Sequence, residues 1–105
     1  MMSRLELHEV LCDILRSRKV YFQPPESIKI SYPSIVYKRS DINPKFANNK
    51  QYTTYREYEV TLLDANPDSP FVKQIEELEY CEYVRNFQTS GINHDVFKIK
   101  ILKGE

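Results

Sequence analysis

The sequence predicts an α+β domain: a mixed, mostly antiparallel β-sheet of four to five strands with two α-helices packed on it. Two observations predict it. Apolar residues recur at helical spacing near the N-terminus and again, briefly, after a proline-containing turn. Elsewhere, several segments alternate apolar and polar residues with the period of a half-buried strand. The resulting order is helix, two or three strands, a long strand, helix and two strands, which suits helices layered on one sheet.

Ser3-Arg4-Leu5-Glu6 has the form of a capping box, in which a hydroxyl and a carboxylate satisfy orphan amides of a helix's first turn. Leu7, Val10, Leu11, Ile14 and Leu15 follow at helical spacing, so a helix is predicted over 4–17. The basic cluster Arg16, Arg18 and Lys19 suits its C-terminus. Val20-Tyr21-Phe22 reads as a short strand or an extended approach to Pro24-Pro25, a pair that cannot lie inside a central strand. Ile28, Ile30 and Tyr32 then alternate with Lys29 and Ser31, and Pro33 biases Tyr32 toward extended backbone. This stretch is expected to be kinked and extended, with the strand pattern resuming over 34–38.

From Arg39 to Thr53 the chain turns polar for longer than a usual connection, as functional or mobile loops do. Phe46, its one large apolar residue, is either a local anchor or a contact with a partner. Residues 55–64, "YREYEVTLLD", make the clearest strand, with Tyr58, Val60 and Leu62 on one face and Glu57, Glu59 and Thr61 on the other. Asp68 or Ser69 is the expected N-cap of a helix over 70–79, with Pro70 at its first position and Phe71, Ile75 and Leu78 on one side. Strands at 82–88 and 95–102, joined through "TSGIN", complete the chain; Phe97, Ile99 and Ile101 point inward, Lys98 and Lys100 outward. Strand 55–64, helix 70–79 and strand 82–88 are expected to form a right-handed βαβ crossover, with 95–102 antiparallel beside it.

The 105 residues, 41% hydrophobic and 29% charged, suit one globular domain over 1–105. Fifteen basic and fifteen acidic side chains cancel, which argues against a strongly basic nucleic-acid footprint and removes self-repulsion between copies. Eight Tyr fit half-buried sheets and subunit interfaces alike. Two Gly argue against a phosphate-cradling loop. Cys12 and Cys81 read as small buried hydrophobes in a reducing compartment. The N-terminal stretch has no apolar core of a signal peptide, and no segment approaches transmembrane length, so a soluble cytoplasmic protein is expected.

Chemistry is sparse. His8 falls on the first helix beside Glu9 and reads as a solvated surface residue. His94, between Asn93 and Asp95, reads either as acid–base machinery or as a residue bonding local backbone. Glu57 and Glu59 are explained by cross-strand pairing with Lys98 or Lys100. Glu76, Glu77 and Glu79 read as a solvated helix face. With no catalytic, nucleotide-binding or zinc motif in the chain, no enzyme, metal or cofactor is expected.

Six pieces recur in order along residues 19–102: Tyr21–Ser27 (YFQPPES), Tyr32–Tyr37 (YPSIVY), Phe46–Ala47, Asp64–Ser69 (DANPDS), Tyr80–Cys81 and Asn93–Phe97 (NHDVF). In these the chain resembles the tail-terminator, or tail-completion, proteins of long-tailed phages and related prophages, a group also described as minor capsid, neck or head–tail joining proteins. The resemblance implies a ring, usually hexameric, that caps the finished tail tube, stops further addition of tube protein and joins the tail to the filled head. The implied partners are other copies of the chain, the major tail tube protein and a head-completion or connector protein. Phage DNA passes the lumen without sequence-specific binding. The implied location is the tail–head junction of the virion, and the host cytoplasm during assembly.

A ring needs head-to-tail contacts between copies. The expected contacts lie on the exposed sheet edge and the 39–54 loop, at Arg39, Lys45, Phe46, Asn48, Lys50 and Tyr52. Arg39, Lys45 and Lys50 read as a solvated basic loop ahead of groups facing DNA or an acidic partner. A monomeric phage-encoded binding module that inhibits or recruits a host protein is the alternative function. A small hydrolase or nuclease using His94 and Asp95 is a third.

Overall fold

The capping box forms as the sequence predicts: Ser3 Oγ accepts from the Glu6 amide at 3.2 Å, and the Ser3 amide donates to Glu6 Oε1 at 2.9 Å. It opens α1 (Arg4–Leu15) in the computed structural model, which describes residues 3–25, 27–40 and 55–102. The remaining elements are β1 (Val20–Phe22), β2 (Ser34–Arg39), β3 (Tyr55–Asp64), α2 (Phe71–Glu76), β4 (Cys81–Thr89) and β5 (Ile92–Leu102). Together they make a five-stranded mixed sheet, ordered β1-β2-β3-β5-β4, with two helices on one face: the α+β architecture the patterning predicts.

α1 ends two residues short of its predicted limit. Arg16 adopts a left-handed conformation (φ 59°), and its amide and that of Ser17 both bond the Cys12 carbonyl, closing the helix in a tight C-terminal turn. α2 is likewise shorter than 70–79. The cap prediction is half met: Pro70 takes the N-cap position with no side-chain bond, while the Ser69 hydroxyl accepts from the Phe71 amide at 3.3 Å.

β1 pairs in parallel with β2, and the connection over 23–33 returns the chain between them. The stretch with alternating Ile28, Ile30 and Tyr32 stays outside the sheet, and the Tyr32–Pro33 peptide is cis. Arg39, expected to open the polar loop, is instead the last residue of β2 and pairs with Tyr58.

The strand order around the crossover differs from expectation. β3 and β4 each run antiparallel to β5 and therefore parallel to each other, but β5 lies between them rather than beside them. Two features put it there. Ser90 and Gly91, both at positive φ (54° and 78°), form a two-residue hairpin turn that pairs β4 directly with β5. β5 also carries the longest buried apolar run, including Val96, Phe97, Ile99 and Ile101, which a central position covers best.

The core lies between the helices and one sheet face. Leu7, Leu11, Cys12 and Leu15 of α1 and Ile75 of α2 pack on Ile35, Tyr37, Tyr58, Val60, Leu62, Phe97 and Ile99. The predicted inward faces of β3 and β5 are therefore the observed ones. On the opposite face the predicted cross-strand pairing is present, with Lys98 Nζ 3.9 Å from Glu57 Oε2. Cys12 is buried, whereas Cys81 is half-buried at the start of β4; both are free thiols.

Candidate functional site

Among the described residues, no further strand pairs with either margin of the sheet. β1 exposes a three-residue edge; β4 exposes one of nine residues, about 30 Å long at the usual rise per residue. Val84 bulges out of register between Tyr83 and Arg85, which bends the β4 edge and limits indiscriminate pairing with other strands. Further along β4, the Arg85 guanidinium lies 5.9 Å from the centre of the Phe87 ring, and Phe87 stacks on His94 at 4.5 Å.

Of the residues expected to make contacts, Arg39 is exposed at the end of β2, with its amide donating to Gln23 Oε1 at 3.2 Å. That position is on the second strand, one in from the β1 edge. Lys45, Phe46, Asn48, Lys50 and Tyr52 lie outside the described residues, as does the question of what Phe46 packs against.

His94 and Asp95 do not form an acid–base pair. As neighbours on β5 they point to opposite faces of the sheet. Asp95 is buried on the helix-bearing side, accepting from the Tyr83 hydroxyl at 2.6 Å and from Asn86 Nδ2 at 2.8 Å. Burial first, and that hydrogen bond second, push the Tyr83 phenol up to about 12. His94 Nδ1 lies 3.1 Å from the Ile92 carbonyl, the local backbone contact that was one of its two expected roles.

His8 departs from the expected solvated position. Its Nδ1 sits 2.7 Å from the Tyr37 hydroxyl, which also accepts from Arg4 at 3.2 Å. Arg4 and His8, one turn apart, thus fasten α1 to β2, and Arg4 covers the Phe22 ring of β1 at 4.3 Å.

Among the described residues, nothing fills the other flank of α1. A cavity of 790 Å³ opens between α1, the residues before β4 and the end of β5. Its apolar lining includes Leu5, Leu7, Val10, Leu78, Tyr80 and Ile99, and that volume falls in the range of ligand and side-chain pockets. Sequence reasoning missed this surface. The available signal was Leu5, an apolar residue off the Leu7-Leu11-Ile14 stripe of α1 and 66% exposed in the fold.

Among the described residues, no group of three His, Cys, Asp or Glu side chains comes together as a metal site. No helix among them is long and apolar enough to span a membrane. No protein-family model matches the chain, and a search of curated proteins finds no match.

Proposed function

We propose that this chain is a structural subunit of the tail–head junction of a long-tailed phage. In this reading it closes into a ring, hexameric by its resemblance to tail-terminator proteins, on the finished end of the tail tube. There it stops further addition of tube protein and offers the filled head a joining surface. Its partners are its own copies, the major tail tube protein and a head-completion protein, and DNA passes the lumen through contacts that read no sequence.

The observation that supports the reading best is the pair of unlike open edges. A contact between the short β1 margin of one copy and the long β4 margin of the next uses a different surface on each. Such head-to-tail contacts close into rings when the rotation permits, whereas a symmetric dimer uses the same patch twice. A net charge of zero lets copies approach without long-range repulsion. The ordered motifs from Tyr21 to Phe97 supply the phage context.

Electron microscopy of particles assembled without the protein tests this directly. Overlong tails or headless particles, rescued by supplying the chain, are the expected result. Tails of normal length joined to heads in its absence would overturn the reading and favour the host-binding module.

A further inference from the structure

Five large apolar side chains are exposed among the described residues: Leu5, Ile28, Tyr32, Tyr80 and Phe87. Phe87 is accounted for by His94 beneath it and Arg85 beside it. The other four fall into two pairs: Leu5 and Tyr80 line the cavity beside α1, and Ile28 and Tyr32 do not.

Leu5 (66% exposed) and Tyr80 (61%) form the mouth of the cavity beside α1, whose floor is Ile99 and Ile101. Tyr80 is held at φ 59°, a conformation that a bulky aromatic residue adopts only under constraint. Its carbonyl is bonded by the Lys100 amide at 3.1 Å, which fastens its backbone to β5, and its side chain is exposed. The rim is acidic: Glu6, Glu9 and Glu79 stand against Lys100. Glu6 closes the α1 cap and Glu9 holds Arg18 at 3.0 Å, which leaves Glu79 as the rim carboxylate outside both arrangements.

Ile28 (37% exposed) and Tyr32 (46%) belong to the connection after β1, with exposed Lys29 between them. This segment has the apolar alternation of a strand, yet none of the described strands pairs with it. Its Ser31 hydroxyl sits 3.4 Å from Lys19 Nζ, beside the start of β1. None of its residues lines the cavity.

We infer that the segment Ser27–Tyr32 of one copy docks into the acidic-rimmed groove of the next, with Ile28 and Tyr32 entering the apolar cavity and Lys29 meeting Glu79. Lys29 and Glu79 are opposite in charge, both patches carry exposed apolar side chains, and the two patches are distinct, so the contact is head-to-tail. The segment flanks the β1 margin, and Tyr80 directly precedes β4, so docking also brings the two sheet margins together. This inference rests on the reading of the chain as an assembling subunit and names the contact through which it assembles.

Sedimentation velocity over a concentration series tests it. The wild-type chain is expected to associate, with affinity lowered about tenfold or more by Lys29→Glu or by Glu79→Lys. Combining the two in one chain should restore association, since every copy then carries both reversed charges. Leu5→Asp disables the groove and Ile28→Asp the segment; each alone should be monomeric, while their mixture forms a 1:1 heterodimer and nothing larger. Both sites are exposed, so circular dichroism melts should match wild type. If either variant melts early, the charge-reversal pair decides. A wild-type chain that stays monomeric, or one whose association ignores all four substitutions, overturns the docking contact. The ring reading fails separately, on tail length and head attachment in micrographs.

Discussion

Tyr37 shows how much a single buried hydroxyl organises. It accepts from Arg4 at 3.2 Å and lies 2.7 Å from His8 Nδ1, a contact in which a neutral imidazole can serve as acceptor. Burial first, and the nearby Arg4 guanidinium second, hold the His8 pKa below its usual 6.5, with Glu9 opposing and Arg18 adding weakly. The folded pKa lies below the unfolded one. Stability from the neutral ring is therefore complete above pH 6.5 and is lost as pH falls through the folded value. Thermal melts from pH 7.5 downward should record that loss, and His8→Gln, which keeps an acceptor without the titration, should lack this component. At the other end of the sheet, Asp95→Asn removes the anionic acceptor beneath Tyr83. The phenol should then titrate lower than about 12, read by ultraviolet absorbance against a Tyr83→Phe control. His8 looked solvated from sequence because its partner is 29 positions away, beyond the reach of any local pattern.

At the scale of elements, local chemistry set most boundaries and long-range contacts set the rest. The Ser3–Glu6 box was legible because both partners lie in one turn. The end of α1 was not, because its terminator is Arg16 in a left-handed conformation where glycine is the usual sign. The β4–β5 turn has the same character at Ser90, which precedes Gly91 with both residues at positive φ. Asn tolerates that geometry better than Ser, so Ser90→Asn should stabilise the hairpin by about 0.5 kcal/mol, seen as a small rise in Tm. The 28–32 stretch carries the strand period without becoming a strand, since alternation records which side chains seek apolar contact but not who supplies it.

For the whole molecule, one core joins both helices to a single sheet face, so damage at its centre should be felt globally. Phe97 is fully buried between Val60 of β3 and Tyr83 of β4, its register partners. Phe97→Ala should cost about 3–5 kcal/mol, a large part of a typical domain's stability, with one cooperative melt moving to lower temperature. The sequence by itself determined the α+β class, the capped first helix and the inward faces of β3 and β5, because each is written in periodicity or capping chemistry within a few residues. Only the tertiary structure decided that β5 lies between β3 and β4, that Arg39 belongs to a strand and that the flank of α1 around Leu5 stays open. Strand order and vacant surface depend on which distant segments meet across the sheet, and no local pattern encodes that choice.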